Sequence, residues 1–172
     1  MLNDLTLQEA SRQIDQNMIN KLSFYNKDLE HIDAEIADVM TDFKRAAAQG
    51  DFSENAAYKD AKEKLRKLQD GEKISILTII EEIQNLKFNT GELVQHTEIK
   101  DGVVFRIRNV QDSNEVYTLK GYNTMITDME EGIISVRATA YTRFLYRKKG
   151  DIVTLENHLT GENVKFEVVD LY

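Results

Sequence analysis

From Ile14 onward the apolar residues recur in alternating steps of three and four, through Met18, Leu22, Tyr25, Leu29, Ile32, Ile36 and Val39 to Phe43. That spacing places them in one stripe along a single long helix. A second stripe follows: Tyr58, Ala61, Leu65 and Leu68, then Ile76, Ile79, Ile83 and Leu86, with Lys and Glu on the opposite face. Neither helix can bury its own stripe, so the two are predicted to zip into an antiparallel helical hairpin. At about 1.5 Å per residue, roughly 35 residues make an arm on the order of 50 Å long, more than a compact core needs. The chain contains no proline, which removes one helix stop signal. Asp70-Gly71-Glu72 interrupts the second stripe and reads either as a soft point or as a tolerated exposed glycine.

Beyond Phe88 the period changes to two. The segments 103–110, 115–122, 132–136, 151–157 and 164–172 are rich in β-branched and aromatic residues and are separated by Gly, Asn and Asp clusters. They predict a small antiparallel sheet, with hairpin connections at QDSN and HLTGEN. The segment Ala138 to Tyr146 is expected to form a short helix closing one face. The fold class is therefore α+β: residues 1–88 as a coiled-coil hairpin and 89–172 as a globular β domain, divided where KFNTG loses the helical period.

With 172 residues and 41% hydrophobic content, the chain can build an ordinary core. It has no apolar run long enough to span a bilayer, and its polar N-terminus is unlike a secretory signal, so a cytoplasmic protein with no membrane partner is expected. The absence of cysteine excludes disulfides, thiolate metal sites and cysteine nucleophiles, and three scattered histidines offer no zinc cluster. A net charge of −8 argues against holding free nucleic acid mainly through phosphate neutralisation.

Between the two helices lies AAAQGDFSENAAYKDA, residues 46 to 61. Asp51 and Glu54 have the spacing of a capping box. They also place two solvated carboxylates about one turn apart, where they could share a hard divalent cation such as Mg²⁺. Two carboxylates do not make a tight Mg²⁺ site, so such a site would need a partner macromolecule to complete it. Gly50 supplies backbone freedom, and Phe52 is an aromatic with little core within reach.

The run Gly50-Asp51-Phe52-Ser53-Glu54-Asn55-Ala56-Ala57-Tyr58-Lys59-Asp60-Ala61-Lys62-Glu63 resembles the tip signature of the bacterial Gre transcript-cleavage factors. The closing segment from Gly132 to Tyr172 is similar to the end of the same family, so the resemblance covers most of the chain. It implies an N-terminal coiled-coil hairpin and a C-terminal FKBP-like domain. It further implies binding to RNA polymerase at its secondary channel, with the hairpin reaching the active centre of a backtracked complex. Asp51 and Glu54 would then help hold a catalytic Mg²⁺ and the attacking water, so that the polymerase hydrolyses the extruded RNA 3′ end. On this view the protein is no enzyme alone, carries no cofactor in isolation, and acts as a monomer. Gly50, Phe52, Ser53, Asn55 and Tyr58 would position the tip, although Tyr58 also lies on the apolar stripe. Lys44, Arg45 and Lys62 are candidate RNA contacts, Lys62 matching a basic family position; such residues on a helical hairpin also simply solvate its outer face.

The sequence departs from the family pattern in three places. Helix one is longer before the tip by about ten residues, roughly three turns, either as an N-terminal extension or folded back beside the globular domain. The family's Arg three residues before the tip Gly is Ala47 here. Its Ser-Pro-[Ile/Leu]-[Ala/Gly] element stands as Ala138-Thr139-Ala140-Tyr141, and the Gly that follows stands as Tyr146, which alters the polymerase-docking surface. The RKKG run at 147–150 reads as part of an altered docking face or, more plainly, as a solvated turn. The alternatives are a Gre-like inhibitor in the same channel, a coiled-coil adaptor unrelated to cleavage, or a prolyl isomerase suggested by fold analogy alone.

Overall fold

The computed structural model describes residues 2–48, 56–88, 96–156 and 161–172. The chain divides into two compact units: residues 1–20 with 85–172, and residues 21–84. Helix α1 (Leu7–Ala47) contributes to both.

Within the second unit, α1 packs against α2 (Ala56–Arg66), a π-helical segment (Lys67–Lys73) and α3 (Ile74–Gln84). Val39, Leu65 and Leu68 are buried together, with Ile36, Met40, Phe43 and Ala61 packed around them. These are the residues of the two sequence stripes. Two ion pairs cross between the helices, Lys64 Nζ to Glu35 Oε1 at 2.8 Å and Lys73 Nζ to Asp33 Oδ1 at 2.6 Å. The interruption at Asp70-Gly71-Glu72 is not a break: Gly71 is exposed, with open space where a Cβ would stand, and it lies in a π-helical segment. Helical dihedrals continue on both sides of the segment, at Arg66 and Ile74. From Leu68 to Ile76 the stripe takes a step of eight residues where two α turns span about seven. The wider π turn can absorb the surplus residue; in α3 beyond it Ile80 and Ile83 are buried, while Ile76 and Ile79 are half-buried.

In the first unit, β1 (Val104–Asn109), β2 (Val116–Tyr122), β3 (Ile133–Ser135), β4 (Ile152–Glu156) and β5 (Asn163–Leu171) form one sheet in the order β3-β2-β1-β5-β4. All neighbours are antiparallel except β2 and β3, which run parallel. The departure from an all-antiparallel sheet follows from the connection at 123–132, which crosses over instead of turning back. Helix α4 (Thr139–Phe144) covers one face, where Tyr141 and Phe144 sink into a core with Phe105, Ile107, Leu119 and Val168. Gly121 lies directly beneath Tyr141; a Cβ there would stand 2.5 Å from Tyr141 Cε2.

The opposite face is polar, and the N-terminal segment covers it. Arg106 and Thr118 are cross-strand partners, as are Val104 and Lys120. Asn3 donates to the Val116 carbonyl and accepts from Thr118 Oγ1, while Arg106 Nη2 donates to the Leu5 carbonyl at 2.8 Å. One turn into α1, Lys120 Nζ donates to Ser11 Oγ and to both oxygens of Asp15, and Tyr122 donates its hydroxyl proton to Asp15 Oδ1. Burial and the Asp15 charge raise the Tyr122 phenol far above its ordinary range, keeping it a donor. Helix α1 itself starts at a capping box. The Glu9 amide donates to Thr6 Oγ1, and the Thr6 amide and hydroxyl donate back to Glu9 Oε2 at 3.0 and 2.7 Å.

Candidate functional site

The sequence directs attention to the connection between α1 and α2. Gly50, Asp51, Phe52, Ser53, Glu54 and Asn55 lie outside the described residues, and the structure reports on the residues flanking them. Tyr58 and Phe43 meet across the hairpin with ring centroids 4.7 Å apart and planes inclined at 32°. Tyr58 is thus half-buried in the seam, with its ring engaged by a residue of the facing helix. Ala46 is buried one turn closer to the end of α1, so the apolar stripe continues to within a few residues of the turn.

The basic candidates divide by environment. Lys44 and Arg45 occupy the last turn of α1, where positive charge complements the helix C-terminal dipole. Arg45 also pairs with Asp42 at 3.1 Å, but both side chains are well exposed, so the pair adds little. Lys62 is exposed on α2, one turn beyond Tyr58. Lys64, which the sequence did not single out, reaches across the hairpin to Glu35. Their hydrogen bond and mutual attraction lower the Glu35 carboxyl and raise the Lys64 ammonium from their ordinary values. The alternation of acid and base between facing helices was the available signal for this pair.

Among the described residues no group of three or more His, Asp or Glu side chains is placed to hold a metal ion. The Asp51 and Glu54 carboxylates, the cation donors that the sequence suggests, lie outside the described residues. No described helix is long and apolar enough to cross a membrane.

Residues 19–86, the hairpin and its turn, match the family model for the N-terminal domain of the transcription elongation factors GreA and GreB. The chain is 27% identical over 154 residues to the transcription elongation factor GreA of Helicobacter pylori strain Shi470, covering 89% of this chain and 88% of that relative. It is 24% identical over 147 residues to the transcription elongation factor GreA of a Nitratiruptor species, covering 85% of each. Among solved structures, GreA factor homolog 1 of Thermus thermophilus aligns over 88% of this chain and 94% of its own, at 15% identity and a TM-score of 0.36.

Proposed function

We propose that this chain, whose residues 19–86 match the GreA and GreB N-terminal family model, is a transcription elongation factor of the Gre kind that binds RNA polymerase through the secondary channel and stimulates the polymerase's own cleavage of backtracked nascent RNA. The observation that carries this reading is the run Gly50 to Glu63, with both tip acids retained, at the connection between two antiparallel helices. The seam formed by Val39, Leu65, Leu68 and the Phe43–Tyr58 ring pair holds the two helices together close to that connection.

On this reading Asp51 and Glu54 present charged oxygen donors to the polymerase's active centre and orient the attacking water beside the scissile phosphodiester. When docked, Asp51 and Glu54 would help hold the Mg²⁺ of that centre, which would supply charge neutralisation at the phosphate. Lys62, with Lys44 and Arg45 at the end of α1, lies against the extruded RNA. The protein alone hydrolyses nothing, because two carboxylates retain neither the ion nor the substrate.

The test is addition of the purified protein to a stalled, backtracked elongation complex carrying labelled RNA. Shortened transcripts that can be re-extended are the expected result, lost by orders of magnitude with Asp51→Asn, whose side chain caps a helix nearly as well as Asp. Blocked extension without cleavage would assign the chain to the inhibitory class, against which the retained Asp51 and Glu54 weigh. No effect at all would leave an adaptor.

A further inference from the structure

The ring contact between Phe43 and Tyr58, at 4.7 Å and 32°, sits at a particular height on the hairpin. Phe43 stands one turn before the end of α1, and Tyr58 lies in the first turn of α2. Further along, the seam is built from Ile36, Val39, Met40, Ala61, Leu65 and Leu68, none of them aromatic. Nearer the connection, the apolar side chains of both helices are alanines: Ala46 and Ala47 on α1, Ala56 and Ala57 on α2. Along the same stretch Val39, Ala46, Ala57 and Ala61 help to line an open groove of about 400 Å³. This end of the hairpin is thinly packed, and the two rings are its large contact.

Alanine removes little surface from water, so it lets two helices approach without fixing one against the other. Two rings in contact do fix them, because aromatic pairs favour particular geometries and each ring has only two torsions to order. Both rings are half-buried. The neighbouring ion pairs are no substitute: Arg45 pairs with Asp42 of its own helix, and Lys64 meets Glu35 more than a turn further from the connection. In sequence, Phe43 and Tyr58 bracket the run that carries Asp51 and Glu54. Groups that orient a reacting water tolerate little displacement, and an error of about 1 Å can cost a hundredfold in rate.

We propose that Phe43 is a positioning residue for transcript cleavage: through the Tyr58 ring it fixes the last turns of α1 against the first turn of α2, the two ends from which the acid-bearing run departs. This rests on the function proposed above. In that role Phe43 contacts neither RNA nor metal, so its loss lowers the maximal rate and leaves affinity for polymerase unchanged.

The test combines a distance with a rate. The chain contains no cysteine, so nitroxide labels at Thr41→Cys and Lys59→Cys, both exposed positions, report this end of the hairpin by electron–electron distance measurement. Expected is a narrow distribution for wild type and Phe43→Tyr, and a broadened one for Phe43→Ala. In unlabelled full-length protein acting on backtracked complexes, Phe43→Ala should lower the maximal cleavage rate at least about tenfold, with the half-saturating protein concentration within about twofold of wild type. Phe43→Tyr should keep the wild-type rate. Leu68→Ala opens a cavity in the same seam away from the connection; it should lower the melting temperature yet keep the narrow distribution and the rate. Rates are read below the melting transitions of all variants. A narrow distribution in Phe43→Ala, or an equal fall in rate with Leu68→Ala, makes the rings ordinary seam packing and overturns the proposal. So does an unchanged rate in Phe43→Ala where Asp51→Asn abolishes cleavage, an outcome that leaves the proposed function standing. If wild type stimulates no cleavage, the functional reading falls and takes the role of Phe43 with it, whatever the distances show.

Discussion

Lys120 Nζ lies 2.7 and 2.9 Å from the two carboxylate oxygens of Asp15, and the lysine is 3% exposed. One partner stands on the second strand of the sheet, the other two turns into the first helix. Together with Tyr122 and Ser11 they form a closed polar network between two elements 105 residues apart in sequence. Such a pair adds less to net stability than to uniqueness, since each charge was desolvated to make it. Removing one member is another matter. Asp15→Asn leaves the lysine buried without a counter-charge and is expected to cost about 3–5 kcal/mol in chemical denaturation. The double variant Asp15→Leu/Lys120→Met should recover most of that loss, and a double-mutant cycle reads the coupling directly.

The start of α1 makes stability depend on pH. Hydrogen bonds from the Thr6 hydroxyl and amide, with help from Arg12, hold the Glu9 carboxyl below its ordinary value of 4.5. A carboxyl depressed in the folded state stabilises it above the unfolded pKa, and that contribution is lost as pH falls through the folded value. Glu35 and Glu98 are lowered in the same direction by Lys64 and Lys100. The melting temperature should therefore fall on acidification from about pH 6 to about pH 3.5, and Glu9→Gln should flatten part of that slope. An unchanged slope would mean that the box does not form in solution.

Gly132 shows how closely the N-terminal helix sits on the sheet. Its φ is +79°, and a Cβ there would lie 2.7 Å from Ile14 Cγ1 and 2.8 Å from the Thr118 carbonyl oxygen. The second contact is with backbone that is itself committed to the sheet, so it cannot give way cheaply. Gly132→Ala is expected to destabilise by at least about 2 kcal/mol, combining backbone strain with overpacking. Trimming the opposing side chain, Ile14→Ala, which removes Cγ1 and Cδ1, should recover only part of the overpacking loss, because the strained φ and the Thr118 carbonyl contact remain.

The hairpin seam offers a separate test. Leu65 is 8% exposed and packs with Val39 and Leu68. Leu65→Asp buries an unpaired charge at a cost of several kcal/mol. Its circular-dichroism melt should show an early loss of helix in the hairpin, and transcript cleavage should vanish with it. On the function proposed above, Asp51→Asn should lower cleavage by orders of magnitude with the melt unchanged, which separates loss of the arm from loss of the tip acid.

Much of the hairpin was legible because helical burial is periodic: Ile32, Val39, Leu65, Leu68 and Ile83 are buried where steps of three and four placed them. The strands announced themselves by period two and by their turn residues, and α4 by its place between β3 and β4. Other features had no local signature. A step of eight residues between Leu68 and Ile76 is visible in the sequence, but whether it kinks the helix or widens one turn depends on what the facing helix requires. The Tyr146 backbone, left-handed at a φ of 63°, takes its hand from a hydrogen-bond exchange with Ile99, 47 residues away in sequence.

By itself, then, the chain determined the elements, their apolar faces and the acidic run between the helices, because these follow from side-chain period and turn chemistry within a few residues. Only the tertiary structure decided that β3 joins the sheet in parallel, that Asp15 neutralises Lys120, and that the segment from Asn3 to Asp15 covers the polar face of the sheet. Those are choices among partners distant along the chain, and burial with hydrogen-bond satisfaction settles them in three dimensions.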